Sequence, residues 1–270
     1  MMLTNDLLDA IFRILSAADL CSLCETNKEW HTAAQDARRR ALLRMTGDFV
    51  ARHDYSPQRI ARLQRLVVAR PDLALPDGLT FIGDSAFRGC RPLATIELPD
   101  SLTSIGYRAF QHCSSLATIE FPDSLTSVDD CAFYGCSSLT AIKLPAGLTF
   151  IGHRAFYGCS SLSTIEFELA AILTQLGDSA FQGCSVLSTI ALPAGLTYIG
   201  DGAFDGCSSL TTIAMPDGLT YIGDGAFDGC RSLTTIALPS SLSPVTANLM
   251  ELRLNDASSG FHGTVTHAAA

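Results

Sequence analysis

Lysine is almost missing from this sequence: Lys28 and Lys143 are the two among 18 basic side chains. Codon usage in a GC-rich genome, which favours Arg and Ala, accounts for that bias. No stretch reaches the ~18 consecutive apolar residues of a transmembrane helix, so a membrane is not an expected partner. The opening "MMLTNDLLDAIFRIL" has no basic n-region, and Asp6, Asp9 and Arg13 interrupt its apolar run. It does not read as a secretory signal, and the expected compartment is cytoplasmic or nuclear. Catalytic motifs are missing too, with no phosphate-binding G-x-x-x-x-G-K-[ST], no H-E-x-x-H and no G-x-S-x-G. The six histidines are scattered: His112 stands where other repeats have glycine, and His153 occupies a variable position. Both read as exposed substitutions, so neither an enzyme nor a cofactor is expected.

What is present is 47% hydrophobic residues with 17% charged over 270 residues, enough apolar surface for a core. The net charge of -9 is unevenly placed. Residues 1–72 hold 11 basic and 9 acidic side chains, whereas 73–270 hold 7 and 18. Two regions of different origin are implied, and the acidic one repels phosphate backbones, which argues against nucleic acid.

"LTYIGDGAFDGC" occurs word for word at 196–207 and at 219–230. Cysteine marks the wider period: Cys90, Cys113, Cys136, Cys159, Cys184, Cys207 and Cys230 are spaced 23, 23, 23, 25, 23 and 23. Seven units run from Leu75 to Ala237, and a period of this length predicts a solenoid in which each turn buries its apolar edge against the next. The segments from "LATIEL" (93–98) to "LTTIAL" (233–238) predict one short strand per turn, stacked into a parallel sheet and closed by proline at most copies. Ile and the final Leu should point inward. "LTFIG" and its relatives predict a second extended segment on the opposite side. Its closing glycines (Gly83, Gly106, Gly152, Gly177, Gly200, Gly223) suggest a positive φ, and Asp129, which replaces glycine in the third unit, should tolerate it. "AFxGC" predicts a short helix or 3₁₀ turn with Phe inside.

Neighbouring turns at ~4.8 Å lie within disulfide range, yet seven is an odd number and the expected compartment is reducing. The repeat cysteines therefore read as a buried column of small apolar thiols. Asp201 over Asp224 and Asp205 over Asp228 could suggest calcium, but a calcium site needs six or more converging oxygens, so these read as turn residues with solvated side chains. The fifth unit is two residues longer, with Glu168 in place of proline, which predicts a bulging loop and a possible contact element.

The L-x-x-I-x-L strand, the A-F-x-G-C turn and the proline after the strand resemble the BspA-type subclass of leucine-rich repeats. The resemblance implies a solenoid used for protein contacts, found in bacterial surface adhesins and many protist proteins. It departs from the commoner leucine-rich repeat in lacking the asparagine after the strand.

In "LTNDLLDAIFRIL" the apolar residues Leu3, Leu7, Leu8, Ile11, Phe12 and Leu15 fall at helical spacing, and Ser16 with Asp19 opens a following segment like a capping box. A small helical module over 1–50 is expected, then a basic-faced linker helix within 51–74, ending before Pro71. Seven repeats (75–237), a C-terminal cap (238–257) and a disordered tail (258–270) follow. The fold class is thus α+β, a helical module ahead of a leucine-rich-repeat solenoid with a parallel β-sheet. Cys21 and Cys24 have redox spacing, but also that of one helical turn, and read as packing.

The module resembles an F-box through Leu3, Asp6, Leu7, Leu8, Ile11, Phe12, Leu15, Asp19, Leu20, Leu23, Asn27, Lys28 and Trp30, with Thr4 and Asp6 in place of the family's proline and glutamate. That resemblance implies docking onto the Skp-type adaptor of a cullin-RING (SCF-type) ubiquitin ligase through Leu3, Leu7, Leu8, Ile11, Phe12, Leu15, Leu20 and Trp30. The other reading is a helical cap on the open end of the solenoid, in a protein-binding or adhesion-type repeat protein.

A client protein, whose identity the sequence does not give, should meet the outward positions of the strand. Before the inward Ile these are Thr95, Thr118, Ala141, Thr164, Thr189, Thr212 and Thr235. After it they are Glu97, Glu120, Lys143, Glu166 and then alanines at 191, 214 and 237. A partner with a basic patch fits the first half and a flatter surface the second; solvated positions left by recent duplication are the alternative.

Overall fold

In the computed structural model, which describes residues 72–75, 77–168, 171–244, 247 and 264–267, each repeat closes one coil of a β-solenoid. The helical module and most of the linker lie outside the described residues. Among the described residues the elements are all strands, in the parallel-sheet solenoid expected of the repeats, and the helical part of the α+β reading falls outside them.

Each coil carries two strands. One set is Phe81–Ile82, Ser104–Ile105, Ser127–Val128, Phe150–Ile151, Gln175–Leu176, Tyr198–Ile199 and Tyr221–Ile222, which form one continuous parallel sheet of seven strands. This is the run read from the sequence as a second extended segment. The L-x-x-I-x-L strands form shorter patches instead: 72–74 with 95–97 and 118–119, 141–144 with 164–167, and 189–191 with 212–214. Register holds throughout, with Ile105 beside Val128 and Ile190 beside Ile213.

Both ends of the repeat region depart from expectation. Asp72–Ala74, in the linker range 51–74 but past the expected end of its helix, is a strand pairing in parallel with Thr95–Glu97. Pro71 ends helical propensity there, and the exposed edge of the next coil offers backbone partners. Thr264–His267, within the range read as a disordered tail, pairs in parallel with Thr235–Leu238. Its alternating T-V-T pattern suits a strand that covers the last coil's edge.

The interior is built of columns. Phe87, Phe110, Phe133, Phe156, Phe181, Phe204 and Phe227 are buried, and their rings stack nearly parallel at steps of 5.0 to 5.7 Å. The repeat cysteines form a second column of free thiols. Each from Cys113 onward donates to the carbonyl of the phenylalanine one coil back, as in Cys113 Sγ to Phe87 O at 3.0 Å and Cys230 Sγ to Phe204 O at 3.2 Å. Burial pushes the Cys90 thiol up to about 11 and those of Cys159 and Cys230 to about 12, so the reactive thiolate is scarce at neutral pH.

The A-F-x-G-C segment is neither helix nor 3₁₀. Ala86, Arg88 and Cys90 donate three residues back within their coil, to Gly83, Ser85 and Phe87. Ser85, Phe87 and Gly89, between them, donate to the carbonyls of Tyr107, Ala109 and Gln111 in the next coil at 2.6–2.7 Å. Left-handed residues produce the alternation, with Ser85 at φ 51° and Gly89 at φ 69°. The turn is thereby a ladder between coils.

The glycines closing the second strand lack the positive φ expected of them. They are there because the coils touch: a Cβ on Gly106 would lie 2.6 Å from Asp84 Oδ1 and 2.9 Å from Ile82 O. The carboxylates that fill this space accept the next coil's amide, as Asp84 does from Tyr107 at 3.0 Å and Asp201 from Asp224 at 2.8 Å. Asp201 is therefore a rung of the ladder, more than a solvated turn residue. His153 serves as another rung, its Nδ1 accepting from the Asp178 amide at 3.0 Å. Tyr107 has no carboxylate to offer, and one coil on Asp129 replaces glycine and accepts the Asp130 amide itself at 2.7 Å. The two substitutions compensate each other.

Candidate functional site

Strand alternation turns the two columns beside each buried isoleucine outward. Thr95, Glu97, Thr118, Glu120, Lys143, Thr164, Glu166, Thr189, Thr212 and Thr235 are all exposed, with Ile96, Ile119, Ile142 and Ile165 buried between them. Thr95, Glu97, Thr118 and Glu120, with Ile96, Leu98 and Ile119, line a concavity of about 400 Å³ across the first two coils. The residues assigned to adaptor docking, Leu3, Leu7, Leu8, Ile11, Phe12, Leu15, Leu20 and Trp30, lie outside the described residues.

Lys143 would alternate the charge of the glutamate column, but its Nζ is held 2.7 Å from Glu168 Oε1. The pair holds the Lys143 ammonium above its usual range and Glu168 below its own, chiefly through their mutual hydrogen bond. Glu168 also accepts the Ala146 amide at 3.2 Å, and its own N–H reaches Leu144 O at 3.2 Å, which the proline of other repeats could not do. The one lysine on this face is thus neutralised from within, leaving Glu97, Glu120 and Glu166 to set its sign. Sequence spacing missed this pair because the partners lie 25 residues apart, on adjacent coils.

The opposite face carries residues that sequence reading did not single out. Its outward column reads Phe81, Ser104, Ser127, Phe150, Gln175, Tyr198 and Tyr221. Tyr198 and Tyr221 stack at 4.7 Å, and between Phe81 and Phe150 a slot of about 370 Å³ opens over the two serines. Reading the repeats in columns, outward as well as inward, would have exposed it.

Among the described residues no group of three or more His, Cys, Asp or Glu could hold a metal ion, and no helix is long and apolar enough to cross a membrane.

The family model for the BspA type leucine rich repeat region matches residues 70–184 and 166–251, in six copies. Among solved structures the chain is similar to a leucine-rich repeat protein of T. pallidum, at 31% identity over 73% of this chain and 86% of that one, with a TM-score of 0.55. It is also similar to a leucine-rich repeat protein of Bacteroides ovatus, at 29% identity over 64% of this chain and 52% of that one, with a TM-score of 0.48. No curated protein matches.

Proposed function

Because the chain belongs to the BspA-type leucine-rich repeat family, we propose that it is a protein-binding scaffold whose strand face, acidic over its first half, receives a basic segment of its partner. The observation that carries this is the Lys143–Glu168 pair at 2.7 Å, which removes the one cation from the glutamate column. Glu97 and Glu120 stand on successive coils beside the concavity, where like charges oppose each other unless a cation intervenes. Random peptides displayed on phage and selected on the full chain should be net basic. Their binding should fall about tenfold or more in the triple variant Glu97→Gln, Glu120→Gln, Glu166→Gln, read by enzyme-linked assay. Binders indifferent to that variant would place the contact elsewhere and remove the reading.

A second reading rests on the F-box-like residues Leu3 to Trp30. In it the helical module docks on a Skp-type adaptor, in cytoplasm or nucleus, and the strand face holds the client of a cullin-RING ligase. Titrating the full chain against purified Skp adaptor should then give saturable binding that Leu7→Asp with Ile11→Asp abolishes. No saturation with folded protein leaves the chain as a repeat scaffold alone.

A further inference from the structure

The geometry points to a second binding surface, on the seven-stranded face, that takes an extended segment with two arginines four residues apart. It is independent of the strand face. The slot there is walled by Phe81 and Phe150, floored by Ser104 and Ser127, and edged by Asp84 and Asp129. Phe81 and Phe150 are 37% and 41% exposed, unusual for large apolar rings, and they stand three coils apart. The same three steps separate Phe87 from Phe156, at 5.0, 5.0 and 5.1 Å per ring pair. The slot is therefore about 15 Å long, near the ~13 Å that four residues of extended chain cover.

Charge selects the occupant. The lining sets two carboxylates beside the two rings, Asp84 on the coil of Phe81 and Asp129 one coil before Phe150, and holds no arginine or lysine. Both carboxylates accept backbone amides, Asp84 Oδ1 from Tyr107 at 3.0 Å and Asp129 Oδ1 from Asp130 at 2.7 Å. A planar guanidinium meets both demands at once, since it lies flat on a ring face and donates from its edge to a carboxylate. The chain makes the first of these contacts itself, with the Arg108 guanidinium 4.6 Å over the Tyr107 ring. Ammonium groups, compact and strongly hydrated, gain less from the rings, so arginine is preferred to lysine. The two serine hydroxyls between the ends are placed to accept from the backbone of the segment. Alternation in an extended chain puts residues i and i+4 on one side, which gives Arg-x-x-x-Arg.

The test uses the full chain and a fluorescein-labelled peptide, Ser-Arg-Thr-Ser-Thr-Arg-Ser, with its Lys and Gln counterparts and a version with adjacent arginines. Fluorescence anisotropy should show the spaced Arg peptide binding about tenfold tighter than the Lys peptide and more so than the Gln peptide. Phe81→Ala with Phe150→Ala should lose about tenfold, and Asp84→Asn with Asp129→Asn about as much. The asparagines keep an oxygen to accept the Tyr107 and Asp130 amides, so this pair guards against misfolding. Asp217→Asn, at an exposed carboxylate in the loop between the strands 212–214 and 221–222, should leave the affinity unchanged. Equal binding of the Lys and Arg peptides, or loss with Asp217→Asn, would reveal general adsorption to an acidic surface and overturn the proposal. So would absence of peptide binding together with Phe81- and Phe150-dependent binding of a neutral oligosaccharide such as maltoheptaose.

Discussion

Phe156→Ala is expected to cost about 4 kcal/mol and to break the cooperativity of the solenoid. The ring is fully buried and stacks on Phe133 at 5.1 Å and on Phe181 at 5.4 Å, so its removal opens a void with neighbours on both sides. Those neighbours cannot collapse into it. Each is fixed by its own amide bonding to the next coil, Phe133 N–H to Ala155 O at 2.7 Å and Phe181 N–H to Ala203 O at 2.9 Å. In a solenoid each turn contacts only the turns beside it, so weakening one central interface uncouples the halves. Urea unfolding followed by circular dichroism should become biphasic, with an earlier first midpoint. The same change at Phe227, whose ring stacks on Phe204 in the last coil of the column, should cost less and leave a single transition. An unchanged single transition for Phe156→Ala would show that the ring column does not couple the coils.

Gly200→Ala is expected to cost about 3 kcal/mol although the new side chain is one methyl group. Its Cβ would lie 2.6 Å from the Asp178 amide nitrogen and 2.7 Å from the Gly177 carbonyl carbon, both backbone atoms of the preceding coil. Relief requires the coils to separate. That movement would stretch Gly200 N–H to Leu176 O at 2.9 Å and Asp201 N–H to Asp178 Oδ1 at 3.0 Å. Gly195→Ala provides the contrast: its Cβ would meet nothing nearer than Leu173 O at 3.6 Å and its φ is not positive. There the loss of unfolded-state freedom makes the substitution neutral or slightly stabilising. Thermal unfolding of both variants checks the pair, and equal midpoints would mean that the coils separate at no cost.

These two sites also mark where the sequence was legible. Phe156 could be assigned to the core from its column alone, because seven phenylalanines at one repeat position must share one environment. Gly200 was read as a turn glycine with positive φ, which it does not have. Positive φ belongs to Gly89 and its equivalents, and to Ser85, where the turn ladder alternates. The glycine at position 200 answers instead to a carboxylate and a backbone in another coil, a contact that no local pattern contains.

By itself the sequence determined the period, the inward columns of Phe, Cys and Ile, the parallel stacking and the outward columns of Thr and Glu. Periodicity suffices for these because every coil repeats the same neighbours. Tertiary structure alone decided which strand set forms the continuous sheet and how Asp129 makes up for Tyr107. It also decided that Glu168 cancels Lys143 and that Phe81 and Phe150 wall a slot. Each of these depends on what one particular coil places against the next, at a distance and orientation that residue spacing along the chain does not specify.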